Sequence, residues 1–175
     1  IRSQYAYTSD GNYPLKNTDW FGKETAFEYE SSTGNLKSVT DVNGKKTSYT
    51  YDAMGRLLSV SKPNAVNGTE TTVTQNYTYE NDRIRTIRHN GMDYVFTYDV
   101  YGNVTQVSVG GKILVTNPYA MKGTQLESSV YGNGQSIHYE YDNFDRVIRK
   151  TEKDAAGNTV QDFKYFYDDE GYLAS

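Results

Sequence analysis

The feature that most constrains this chain is a short motif: an aromatic residue, one further residue, a tyrosine, and then at once a turn. It recurs at Tyr5/Tyr7, Phe27/Tyr29, Tyr49/Tyr51, Tyr77/Tyr79, Phe96/Tyr98, Tyr139/Tyr141 and Tyr165/Tyr167, with a degenerate copy at Asn117/Tyr119. The second positions lie 22, 22, 28, 19, 21, 22 and 26 residues apart. Such near-constant spacing marks a repeat architecture, in which each unit buries its apolar face against its neighbours. The long intervals hold insertions, Pro63 to Glu70 and Ala155 to Gln161. Residues 1–175 therefore read as a single array of about eight repeats, a piece of a longer protein.

The clearest copy runs from Tyr49 to Val60, and its chemistry reads from left to right. Aromatic residues two apart share one face of a strand. Asp52 followed three residues later by Gly55 predicts a type I turn, with the carboxylate capping it and the glycine leaving it at positive φ. Arg56 and Leu57 open the return strand. Aliphatic residues then come back three apart, at Leu36/Val39, Leu57/Val60, Ile84/Ile87 and Val104/Val107. Strict alternation would put such pairs on opposite faces, so the spacing predicts either a bulge between them or a leucine that belongs to the turn exit. Between repeats, Asn43-Gly44, Asn90-Gly91, Asn133-Gly134 and Gly110-Gly111 predict two-residue hairpin turns with positive φ at both positions. No 3.6-residue periodicity is sustained, so little or no helix is expected. The fold class is all-β: antiparallel tandem hairpins, about sixteen strands, forming a curved, ribbon-like or partly barrel-like sheet.

Composition narrows the function. Eighteen tyrosines and few aliphatic residues make Tyr the main apolar material, a ring that can be buried while its hydroxyl stays polar. A net charge of −4 argues against a nucleic-acid partner, and the cluster Arg83, Arg85, Arg88 reads as a solvated strand face. There is no cysteine, hence no thiolate metal site or thiol nucleophile, which suits an exported bacterial protein. No apolar run approaches the ~18 residues of a membrane helix, so no membrane insertion is expected.

Tyr51-Asp52-x-x-Gly55-Arg56-Leu57 is echoed by Tyr98-Asp99-x-x-Gly102, by Tyr141-Asp142-x-x-Asp145-Arg146 and by Tyr167-Asp168-x-x-Gly171. These copies resemble the YD repeat of the RHS family, and the resemblance covers essentially the whole chain. It implies a hollow β-shell built from many repeats, an RHS-type β-shell segment whose partners are further repeats of the same protein. In the family's toxins such a shell encloses an effector domain. It also implies a secreted or cell-surface bacterial setting. The family's Asp-Pro-x-Gly-Leu closing signature does not occur in this sequence, so the resemblance implies wall, not cap.

Catalytic and metal signals are weak. The two histidines, His89 and His138, read as exposed strand residues, and no Gly-x-Ser-x-Gly elbow is present. The acids of Asp142 to Asp145 and of Asp168-Asp169-Glu170 lack the regular oxygen spacing of a calcium loop and read as turn caps. Neither an enzyme nor a cofactor or metal is expected. The sequons at Asn67, Asn76 and Asn103 would matter only in a eukaryotic source. The Tyr-rich face could instead stack on sugars, with Trp20 and Phe21 as a one-off ligand contact, which makes a carbohydrate-binding module the rival to a structural scaffold. Open sheet edges near Tyr5 and Tyr165 predict self-association.

Overall fold

The computed structural model describes residues 3–120 and 123–174. No helical residue occurs among them. They form two compact units, 1–91 and 92–175. The first holds β1 (Gln4–Tyr7), β2 (Pro14–Thr18), β3 (Glu24–Tyr29), β4 (Leu36–Thr40), β5 (Lys46–Tyr51), β6 (Leu57–Val66), β7 (Thr69–Glu80) and β8 (Arg83–His89). The second holds β9 (Met92–Tyr98), β10 (Val104–Val109), β11 (Lys112–Thr116), β12 (Ser128–Tyr131), β13 (Ser136–Tyr141), β14 (Val147–Lys153), β15 (Thr159–Lys164), β16 (Phe166–Tyr167) and β17 (Leu173–Ala174). Within each unit every strand pairs antiparallel with the next in sequence, except that β15 and β16 belong to separate sheets. The last aromatic-x-Tyr strand is thus broken at Tyr165, whose amide bonds to Ile148 O at 2.9 Å. That break brings the described strands to seventeen where sixteen were expected.

The turns follow from the aspartates. In the turn from β5 to β6, Asp52 Oδ1 accepts the amides of Met54 and Arg56, both at 2.9 Å. Gly55 N donates to Asp52 O and Asp52 N to Arg56 O, closing the turn with Gly55 at φ 80°. The same geometry returns at Asp19, Asp41, Asp99, Asp142, Asp154 and Asp168. Asp145 fills the glycine position of its turn at φ 62°. Asn90-Gly91 and Gly110-Gly111 do have positive φ at both positions.

Asn43-Gly44 and Asn133-Gly134 do not form the expected two-residue turns, because only their glycines have positive φ. Gly44 N bonds to Asp41 O and Gly134 N to Tyr131 O, so a wider turn has absorbed each pair. For Asn43 the reason is the Asp41 carboxylate, which gathers the amides of Asn43 and Lys45. The Pro63 to Glu70 insertion is strand. It extends β6 and β7 into one long hairpin, paired through Val66↔Thr69, around Asn67 (φ 50°) and Gly68 (φ 79°).

Of the two readings of the three-residue spacing, the structure has the bulge. Tyr51 pairs with Leu57 and Thr50 with Ser59, leaving Leu58 as the extra residue. The same shift stands immediately before Tyr29, Tyr79, Tyr98 and Tyr141. One face of the sheet then carries aromatic residues opposite β-branched ones: Phe27↔Val39, Tyr49↔Val60, Tyr77↔Ile87 and Phe96↔Val107. Each such pair contributes roughly 0.2–1 kcal/mol. The other face is polar, with Thr50 and Ser59 hydroxyls 2.6 Å apart and Glu28 accepting from Ser38 and Lys46. Among the described residues no hydrophobic side chain is fully buried. Neither unit has a core of its own in the usual sense, so its strands are held by what links them side to side.

Candidate functional site

What links them is built from the repeat motif itself. Tyr51, Tyr79, Tyr141 and Tyr167 stand at or next to the end of their strands, and from there their hydroxyls reach back to the preceding repeat. Tyr51 donates to Leu36 O at 2.9 Å, Tyr79 to Leu57 O at 2.7 Å, Tyr141 to Leu126 O at 2.9 Å and Tyr167 to Val147 O at 2.8 Å. Each bond satisfies a backbone carbonyl at the mouth of a turn with a half-buried ring. Tyr98 occupies the same position in β9, opposite Val104.

A second arm reaches forward. Arg56 bonds through Nε to Asp52 Oδ2 at 2.7 Å, and its Nη1 meets Asp82 Oδ1 at 2.7 Å. Held so, the guanidinium lies 4.6 Å from the ring centroid of Tyr79 in the next repeat. Arg146 does the same with Asp142 at 2.7 Å and the Tyr167 ring at 4.3 Å. One carboxylate thus shapes its turn with one oxygen and aims an arginine with the other. Contacts of this cation–π kind supply about 0.5–2 kcal/mol.

Other residue types fill the forward arm elsewhere, a role that sequence reasoning missed. Asn103 bonds to Asp99 Oδ2 at 2.9 Å and to Gly123 O at 2.7 Å. Gln125 reaches Asp145 Oδ1 at 2.6 Å. Tyr13 lays its ring on Tyr29, centroids 4.9 Å apart, and against Gly34, where a Cβ would collide with it. The signal was there: each is the residue whose carbonyl closes the turn, the structural equivalent of Arg56. Their chemical variety hid it.

The electrostatics match this geometry. The Asp52 carboxyl is held below its ordinary value, first by the Arg56 amide and also by the Arg56 guanidinium. Burial raises the phenols of Tyr51, Tyr79 and Tyr141. Gly102 and Gly171 stand at φ 96° and 86°, each closing its turn onto Asp99 or Asp168.

The remaining candidates stay apart from this arrangement. Trp20 and Phe21 stand at the tip of the turn from β2 to β3, rings 4.0 Å apart and 60% and 70% exposed. Both histidines are half-buried, not exposed as expected, and His138 Nε2 pairs with Ser136 Oγ at 3.0 Å. In the arginine cluster only Arg88 is exposed, while Arg85 meets Glu80 at 3.4 Å. Asp168 caps its turn through the amides of Glu170 and Tyr172. Among the described residues no cluster of three or more His, Cys, Asp or Glu side chains could hold a metal ion.

Comparison with known proteins finds likeness in sequence locally and in fold throughout. Residues 29–66 match the RHS repeat family. The crystal structure of TcdB2-TccC3 without its hypervariable C-terminal region is similar over 98% of this chain, at 18% identity and a TM-score of 0.66. That of TcdB2-TccC3-Cdc42 is similar over 98%, at 17% identity and a TM-score of 0.63. The Photorhabdus luminescens Tc holotoxin pore carrying a TccC3 mutation is similar over 98%, at 15% identity and a TM-score of 0.53. This chain spans only 11% to 12% of the length of those chains. A search of curated proteins found no match.

Proposed function

We propose that this chain, which carries an RHS repeat and has the fold of a tenth of the TcdB2-TccC3 chains, is a length of structural wall. Its parent is a secreted or cell-surface bacterial protein, and the wall helps to enclose an effector domain. The observation that carries the reading is the recurrence of one clamp, tyrosine back and turn-exit residue forward, in both units. An enzyme concentrates its unusual chemistry at one place, whereas here the same kind of contact recurs along the chain and is spent on holding neighbouring repeats. A wall needs nothing more from its parts.

A carbohydrate-binding module would need free aromatic faces. The Tyr79 and Tyr167 rings are covered by Arg56 and Arg146, and their hydroxyls are engaged. A glycan array probed with the chain is expected to stay blank.

In a repeat wall, stability is a sum of local terms between neighbours. Hydrogen exchange on the Arg56→Ala chain should therefore show lost protection in β5 to β8 and unchanged protection in β13 to β15. Uniform loss across the chain would instead indicate one cooperative domain and refute the wall. Enclosure is tested in the full-length parent by limited proteolysis. An effector cut at the same rate as in isolation is not enclosed.

A further inference from the structure

Four Asn-Gly pairs lie in turns of this chain, and the structure divides them into two kinds. Such a pair carries a reaction of its own, because the glycine nitrogen has no side chain beside it and can attack the asparagine carboxamide. Whether it does depends on what already holds that nitrogen and on how freely the turn can open.

At Asn43-Gly44 and Asn133-Gly134 the nitrogen is engaged. Gly44 N donates to Asp41 O and Gly134 N to Tyr131 O, each at 2.9 Å. The Asp41 carboxylate also gathers the amides of Asn43 and Lys45 and locks the first of these turns. In the second, the Asn133 carboxamide itself is held: its Oδ1 accepts the Gln135 amide at 3.0 Å, and its Nδ2 donates to Gln135 Oε1 at 2.9 Å. Asn67-Gly68 and Asn90-Gly91 are different. Both are left-handed at both positions, with φ 50° and 79° in the one and 50° and 75° in the other. Among the described residues, neither their glycine amides nor their carboxamides make a hydrogen bond, and both asparagines are exposed.

Asn67 is also the tip of an arm that stands clear of the sheet. The pairing of β5 with β6 stops at Ser61, and that of β7 with β8 starts at Gln75. Residues 62–66 and 69–73 therefore pair only with each other. A two-stranded hairpin without a third strand is marginal in water, so its turn opens readily, as ring closure at Asn67 requires.

We propose that Asn67 is a site of spontaneous covalent modification, with Asn90 a second of its kind, and that Asn43 and Asn133 are protected by their turns. Gly68 N gives its proton to hydroxide and attacks Asn67 Cγ. The new C–N bond closes a cyclic imide while the Cγ–Nδ2 bond breaks, and ammonia leaves with a proton taken from water. Water then opens the imide at one carbonyl or the other, giving aspartate or isoaspartate. In sum, asparagine and water become acid and ammonia, with no change of oxidation state. Both products put a new carboxylate at the tip. Isoaspartate also adds a methylene to the backbone between Val66 and Thr69, whose pairing fits a two-residue turn. This inference goes beyond the wall reading and does not depend on it.

Peptide mapping by mass spectrometry tests it on the folded chain, held at mildly alkaline pH and sampled over time. Isoaspartate is read separately by enzymatic methylation of its carboxylate with a labelled methyl donor. Asn67 and Asn90 should convert about tenfold or more faster than Asn43 and Asn133, which must first give up the hydrogen bonds of their turns. The rate at Asn67 should climb with pH, since its attacking nitrogen has to lose a proton. In denaturant the four rates should come together, because the fold and not the dipeptide sets their order. Four equal rates in the folded chain, an Asn67 or Asn90 as slow as the protected pair, or a difference that survives in denaturant overturns the proposal.

Discussion

Replacing Tyr79 by phenylalanine removes one oxygen and leaves the ring under Arg56. In the structure that oxygen donates to Leu57 O at 2.7 Å from a half-buried position. A net hydrogen bond of this kind contributes about 0.5–1.5 kcal/mol. For a chain of this size each kcal/mol moves the thermal midpoint by about 2–4 °C. Tyr79→Phe should therefore lower the midpoint by roughly 1–6 °C. Tyr77 supplies the control, since it lies two residues away on the same face, packs opposite Ile87, and has no hydroxyl partner among the described residues. Tyr77→Phe should be neutral. The assay is a pair of thermal melts followed by circular dichroism, with hydrogen exchange at the Leu57 end of β6 as a local readout. If the two substitutions cost the same, the tyrosine of the motif is there for its ring alone, and the clamp argument fails.

Three further outcomes are expected. Gly55 stands at φ 80° with open space around its would-be Cβ, so Gly55→Ala should cost about 1–2 kcal/mol by chemical denaturation, all of it backbone strain. In the opposite direction, Asp145→Gly should gain up to about 1 kcal/mol, less whatever the exposed Gln125 contact contributes, and a net loss would mean that contact outweighs the strain. The raised phenols of Tyr51, Tyr79 and Tyr141 favour the neutral form in the folded chain. Their contribution is complete below the unfolded phenol value near 10 and is lost as pH rises through the folded values. The lowered carboxyls of Asp52 and Asp154 act the other way: their contribution is present above the unfolded value near 4 and is lost as pH falls. Denaturation midpoints against pH should form a plateau that falls on both sides, and a flat alkaline limb would refute the burial of the rings.

Much of the fold was legible because it is local. An Asp-x-x-Gly spacing specifies its turn through atoms of the same five residues, and aliphatics three apart declare a break in strand alternation, which the structure resolves as a bulge. Asn43-Gly44 misled because a carboxylate two residues upstream competes for the same backbone amides, and four bonds outweigh two favourable dihedrals. The Pro63 to Glu70 insertion was legible as a departure from the period, and the structure makes it an extension of the β6–β7 hairpin around Asn67-Gly68.

By itself the sequence determined the alternation of strand and turn, the sidedness of the aromatic residues and the place of each bulge. Only the tertiary structure decided what the tyrosine hydroxyls are for. Their acceptors are the backbone carbonyls of Leu36, Leu57, Leu126 and Val147, fifteen to twenty-two residues away. A carbonyl is common to every residue, so no side-chain pattern can mark one as a target. The forward arm was equally hidden, since Arg56, Asn103, Gln125 and Tyr13 share a position but not a chemistry. A turn can be read from its own atoms, whereas a contact between repeats exists only once the strands lie side by side.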